Sequence, residues 1–362
     1  MLDELEISLE EIKSTITVKT AQKNDVNQFA FTIPSAAFEY AINCNIDSII
    51  IDMGTNSVEI YTGALKNAIT DKSENIKITV DSLDNKSLSK DVSELIGNRK
   101  VIKLNISVDD KQVNEYYGRN AIKVSFDYEL MQDENPDKVV AYKIINEELN
   151  IVNICAYNIY SDKITFAVDS PGTYTAMESD VTFDDIAHID WAVIPIEALA
   201  GRRIISGIGD GKFAPDRNVT REEFAKMLVE AFGFEDETAV TGLADVPEDA
   251  WYYRYVASAQ KYGIVNGIGN NMFGVGTNIT RQDMAVMAYR AAKAANIRIK
   301  VINDEESFND AEKIGEYAKD SVSVMQQSGI INGVGDNMFA PMDNATRAQA
   351  ARIIYLLYKN II

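Results

Sequence analysis

Between Gln28 and Met177, short segments in which apolar and polar positions alternate, or β-branched residues cluster, are separated by turn residues: QFAFTIP, DSIIIDM, SVEIYT, NIKITV, VIKLNISV, AIKVSFDYEL, KVVAYKI, NIVNICAYNIY, KITFAV and GTYTAM. Successive side chains of an extended chain point to opposite faces, so a period of two predicts strands with one buried face. Gly54-Thr55-Asn56 and Asp109-Asp110-Lys111 are turn signals that join neighbouring strands, and short helices are predicted from Pro34 to Ile42 and from Gly63 to Ile69. From Phe183 onward the period changes. Trp191, Ile194, Ala198, Leu199 and Arg202 follow helical spacing, Gly207, Gly209 and Gly211 stop that helix, and a second helix restarts at Thr220. The fold class read from this change is α+β in two domains: a mainly-β, sandwich-like module with short helices over residues 1–180, and an all-α domain over 181–362.

The helical half repeats itself three times. Segments beginning at Phe183, Leu243 and Phe308 superimpose, with repeat bounds read as 181–240, 241–304 and 305–362. Trp191, Trp251 and Tyr317 each precede a glycine (Gly207, Gly267, Gly333) by 16 residues, and each glycine precedes an arginine (Arg221, Arg281, Arg347) by 14. Before each arginine stands a threonine. Thr220, Thr280 and Thr346 are followed three positions later by Glu223, Asp283 and Gln349, the capping-box pattern of a helix start, in a shortened form at Asp283. The stripes Phe224, Met227, Leu228, Ala231, then Met284, Met287, Ala288, then Ala350, Ile353, Ile354, Leu357 read as core. One helix pair cannot bury its apolar face, so three copies are expected to pack around a shared axis with grooves between them.

Thr-Arg-x-Glu/Asp/Gln, an aspartate (Asp185, Asp245, Asp310) ahead of an aromatic, and the run Gly-Ile/Val-Gly-Asp/Asn-x-x-Phe make all three copies resemble the S-layer homology family. The resemblance covers about the second half of the chain. It implies a pseudo-threefold helical domain that binds secondary cell-wall polysaccharide, commonly pyruvylated, in the grooves between repeats. Arginine at the first helical position suits such a ligand, because its planar fork matches a carboxylate two-for-two beside the positive end of a helix. The residues alone leave a second reading open, in which Arg221, Arg281 and Arg347 form salt bridges to aspartates of adjacent repeats; the resemblance favours the ligand. Asp185, Asp245 and Asp310 read either as partners of sugar hydroxyls or arginine, or as caps of the first helix. Trp191, Trp251 and Tyr317 read as packing residues that can also meet a sugar face, and Gly207, Gly267 and Gly333 as positions for tight turns or close approach. Repeat two departs by Leu243 for phenylalanine and by lacking a counterpart of Pro215 and Pro341, and repeat three by Tyr317 for tryptophan. Not every groove need bind.

Charge narrows the partners. A formal net charge of -20 opposes nucleic acid and any broad affinity for polyanions, so an acidic ligand must meet a few placed cations. No metal or cofactor is expected: the two cysteines, Cys44 and Cys155, have no ligand at metal spacing and read as small buried thiols that could pair only if the fold brought them together. No run is long and apolar enough to enter a membrane, and the opening MLDELEISLEEIK lacks an export signal. A surface protein is exported, so the sequence is expected to be a mature or truncated form. The function read from all this is non-enzymatic: anchoring to the wall, extracellular display of the β-module, and contact with other surface proteins as a further option. Two alternatives stay open, a wall-associated glycoside or peptidoglycan hydrolase and a surface-lattice assembly protein. Against the hydrolase, Asp133-Glu134 and Glu147-Glu148 read as solvated turn residues, and the sole histidine, His188, as a helix-end residue.

Overall fold

The computed structural model describes residues 14–19, 28–303 and 307–361. The opening segment read for an export signal lies outside them. The chain is α+β and divides into two compact units: residues up to Pro136 with Ala141–Met177, and Asp137–Val140 with Glu178–Ile362.

The first unit is built from β1 (Thr15–Lys19), β2 (Gln28–Pro34), α1 (Ser35–Asn43), β3 (Ser48–Asp52), β4 (Asn56–Tyr61), β5 (Asn75–Leu83), α2 (Lys90–Ile96), β6 (Val101–Val108), β7 (Lys111–Gln112), β8 (Ile122–Asp127), β9 (Val139–Ile145), β10 (Glu148–Val152), β11 (Cys155–Asn158), β12 (Lys163–Val168) and β13 (Gly172–Glu178). They form two sheets. One runs β1-β3-β4-β8-β12-β11, and the other β10-β9-β13-β6-β5-β2 with β7 beside β6. Along β4, β8 and β12 every second residue is buried, which places Val58, Ile60, Val124, Phe126, Ile164 and Phe166 inside. Phe166 of one sheet meets Tyr174 of the other at 5.3 Å between ring centres. Each such fully buried side chain contributes about 1.5–3 kcal/mol.

Several local expectations change. The run NIVNICAYNIY is two strands in different sheets, β10 against β9 and β11 against β12, because the chain turns a corner at Asn153. Alternation persists through such a corner and so conceals it. Gly63–Ile69 is a series of turns rather than a helix, closed by Lys66 N–H to Gly63 and Ala68 N–H to Leu65. Helix α2, unread in the sequence, packs Val92 and Ile96 against Val101. Cys155 is buried but Cys44, at the end of α1, is exposed, and the two are not joined by a disulfide. Glu134 is not solvated: it pairs with Arg99 and accepts from the Tyr128 hydroxyl at 3.0 Å, with only 10% of its side chain exposed.

The second unit holds α3 (Asp190–Gly201), α4 (Arg221–Phe232), α5 (Tyr253–Lys261), α6 (Arg281–Ala294), α7 (Lys319–Gln327) and α8 (Arg347–Tyr358). Each repeat contributes a pair, and the apolar stripes read from sequence are buried. Thr220 and Thr346 close full capping boxes with Glu223 and Gln349; Thr280 caps α6 alone, because Asp283 is one methylene shorter and does not reach back. The residues just before these caps bond one another in a closed cycle: Val219 N–H to the Ala345 carbonyl at 3.0 Å, Ala345 N–H to Ile279 at 2.9 Å, and Ile279 N–H to Val219 at 3.0 Å. The starts of α4, α6 and α8 therefore converge on one point.

Candidate functional site

Each glycine-rich loop is held from two sides. From its own repeat, an aspartate accepts backbone N–H groups: Asp185 from Phe213 and Ala214 at 2.8 Å, Asp245 from Phe273 and Gly274 at 2.7 Å, and Asp310 from Phe339 at 2.7 Å and Ala340 at 2.8 Å. Asp245 gains a third, Val275 N–H at 2.9 Å, because repeat two has no proline there. None of the three caps a helix, the role the sequence suggested. Burial works against their ionisation, but the backbone N–H groups outweigh it and hold all three below the usual carboxylate range.

From another repeat comes an arginine. Nε of Arg347 donates to the Phe213 carbonyl at 3.0 Å, Nε of Arg221 to Phe273 at 3.0 Å, and Nε of Arg281 to Phe339 at 2.8 Å, with each guanidinium lying over the same phenylalanine ring. The chain of bonds is cyclic. Aspartate, phenylalanine peptide and arginine link repeat three to one, one to two, and two to three. This corrects the picture of guanidinium forks standing free at helix starts: the three arginines are only 5–6% exposed, and burial lowers the pKa of each. Second bonds differ. Nη2 of Arg281 and of Arg347 donates to the carbonyls of Asn332 and Ser206 at 3.0 and 2.6 Å, whereas Nη1 of Arg221 pairs with Asp283 at 3.1 Å. Salt bridging to an adjacent repeat therefore holds for Arg221, toward Asp283 rather than Asp245.

The glycines allow the loops to close. A Cβ on Gly207, Gly267 or Gly333 would stand 2.7–2.8 Å from the carbonyl oxygen of Lys212, Met272 or Met338. That separation is far inside van der Waals contact, so tight turning, not ligand approach, requires glycine there.

Beside Arg281 lies a cleft of about 550 Å³, lined among others by Trp191, Arg281, Asn332, Val334, Gln349 and Arg352, and by no acidic residue among those described. Arg281 spends two of its donors on the loop, which leaves three of a guanidinium's five N–H groups without a hydrogen-bond partner among the described residues. Trp191, 43% exposed, is not a core packing residue; its ring carries the guanidinium of Arg352 at 5.7 Å. Arg352 escaped the sequence reading because repeats one and two place Lys226 and Val286 at that position. Trp251, 57% exposed, instead borders a cavity of about 400 Å³ with Glu235, Glu237 and Glu248. Tyr317 bonds Asp283.

A family model for the S-layer homology domain matches residues 182–225, 243–285 and 307–351. The second half of this chain carries three S-layer homology domains. Among curated relatives, an amylopullulanase of Thermoanaerobacterium thermosulfurigenes is 37% identical over 54% of this chain and 10% of its own length. An exoglucanase of Acetivibrio thermocellus is 38% identical over 49% of this chain and 16% of its own length. An S-layer protein of Bacillus anthracis is 29% identical over 48% and 21%. The chain thus spans a small fraction of the relatives it matches. The S-layer homology repeats are cell-surface anchoring modules and assign the protein to the cell wall. No helix among the described residues is long and apolar enough to cross a membrane.

Proposed function

We propose that the three S-layer homology repeats form one pseudo-threefold helical body that grips an anionic, pyruvylated secondary cell-wall polysaccharide without covalent chemistry, and that the sandwich-like β-unit is the cargo so displayed. The supporting observation is the Arg281 cleft. In a chain of net charge -20, two arginines and, among the described residues, no acid line it, so it offers a carboxylate a local attraction. Arg281 and Arg352 would bind the carboxylate, and Trp191 would lie against the sugar face. Purified protein should pellet with native wall sacculi and stay in solution once their secondary polysaccharide is stripped; equal pelleting of both would reject the reading. Trp191→Ala and Arg352→Gln, both outside the buried loop bonds, should each weaken pelleting with the helical signal unchanged.

A second reading draws on the names of the relatives. Amylopullulanase and exoglucanase couple matching repeats to hydrolases, and the β-unit of this chain would then be part of a wall-associated enzyme. Zymography on wall polysaccharide and peptidoglycan separates the two: a cleared band assigns hydrolysis, and its absence leaves anchoring.

A further inference from the structure

The three grooves are built from equivalent positions, and in one of them those positions are already bonded to each other. Around the cleft stand Arg281, Gln349 and Trp191. Their counterparts at the loop of repeat two are Arg221, Asp283 and Tyr317. Gln349 is drawn away from its cleft by the capping box, where its Oε1 accepts the Thr346 N–H at 3.2 Å. Asp283, too short for that box, faces the groove: Oδ2 accepts a hydrogen bond from Nη1 of Arg221 at 3.1 Å, and Oδ1 accepts one from the Tyr317 hydroxyl at 2.7 Å. Gln282 fixes the arrangement, its Nε2 donating to Tyr317 Oη at 2.9 Å while its Oε1 accepts Gly315 N–H at 2.9 Å. Trp191 has no hydroxyl with which to make the equivalent lock.

We infer that Asp283 is an internal ligand: its carboxylate occupies in the second groove the place that the polymer's carboxylate takes beside Arg281, so that groove is closed to polysaccharide. The substitution of one methylene, glutamate or glutamine to aspartate, thereby sets how many sites the anchor has. Tyr317 bears the mark of the lock, since burial and its bond to Asp283 push its hydroxyl up to about 12. An incoming carboxylate would have to displace a partner already paired with Arg221 and would leave Asp283 unpaired in a half-buried site, a cost the Arg281 cleft does not impose.

This inference rests on the polysaccharide reading of the Arg281 cleft, and two measurements keep the two apart. In the first, full-length protein is titrated calorimetrically with a synthetic monosaccharide pyruvate ketal, with its methyl ester as the uncharged control. Asp283→Gln, which restores the residue found in repeat three, should raise the stoichiometry by one site per chain over wild type, and Asp283→Gln with Tyr317→Trp should retain that gain. An unchanged stoichiometry in a wild type that binds would overturn the role of Asp283. The second is phenylglyoxal labelling read by peptide mass spectrometry, which needs no polymer. Arg221 should be protected in wild type and label as fast as Arg281 in Asp283→Gln. If wild type binds no ketal, the cleft reading fails and labelling alone decides: Arg221 protected equally in both proteins, or reactive in both, sinks the internal ligand.

Discussion

The two units hold their backbones by different means. In the β-unit, main chain binds main chain: β5 and β6 pair without a break from Ile76 with Val108 to Leu83 with Val101, and the identity of most exposed residues is immaterial to those bonds. In the repeat unit, long loops have no ladder, and side chains take over. Asp310 and Arg281 hold the two backbone polar groups of one residue, the Phe339 N–H and C=O, and the same device recurs at Phe213 and Phe273. A loop fixed by side chains makes their identities indispensable, which is why the motif recurs in all three copies. The lesson is that a repeated polar residue in such a fold is first a fastener, and a ligand contact only where a donor is left over.

The sharpest test of this contrast is Arg347→Ala. It strips the Phe213 and Ser206 carbonyls of their buried donors and should cost the repeat unit about 3 kcal/mol. Both tryptophans lie in the repeats, so the urea midpoint read by tryptophan fluorescence should fall. A midpoint that does not move would erase the distinction between the units.

Next is Asp310→Asn. The amide offers one acceptor and brings donors that face the Phe339 and Ala340 N–H groups, at a cost of about 2 kcal/mol. The pH dependence has a definite sign. The lowered folded pKa values of Asp185, Asp245 and Asp310 mean that their stabilisation is complete above the ordinary aspartate value of 3.8 and is lost as pH falls through the folded values. Acid should therefore weaken the repeat unit below about pH 4, and Asp310→Asn should shallow that limb; an identical acid slope in mutant and wild type would contradict it.

Smaller effects refine the comparison further. Thr220→Ala removes a cap with a reciprocal glutamate and should cost about 1 kcal/mol, with less from Thr280→Ala, whose aspartate does not return the bond. Equal losses in thermal unfolding would mean that the box adds nothing. Smallest of all, Lys90→Ala removes an exposed pair with Glu94 along α2 of the β-unit and should change stability by under about 0.5 kcal/mol, leaving hydrogen exchange of the α2 amides almost unaltered.

How legible each part was follows the same division. Strands with one buried face announce themselves, and nine of the ten segments read from sequence coincide with single strands; the tenth, over 150–160, hides a corner because both halves remain extended. β1 was missed because TITVK is almost wholly exposed and lacks a burial signature. In the repeats, the threonine caps and apolar stripes were readable because their partners lie within one helical turn. The roles of the aspartates and arginines were not, since each acts 28 to 141 residues away. On the sequence alone, replacing Arg221, Arg281 and Arg347 by alanine is a binding test that spares the fold; their burial turns the same change into an unfolding one. Arg352 left no periodic signal at all.

The sequence by itself determined that there are three equivalent units, where their helices begin, and that an acidic chain can attract an acidic polymer only through placed cations. These are properties of spacing, capping and charge, which act locally or in sum. Tertiary structure decided which arginine has a carboxylate beside it, which carboxylate turns inward and where a cleft opens. Those outcomes depend on what another repeat brings within about 3 Å, and a difference as small as one methylene between Asp283 and Gln349 changes them.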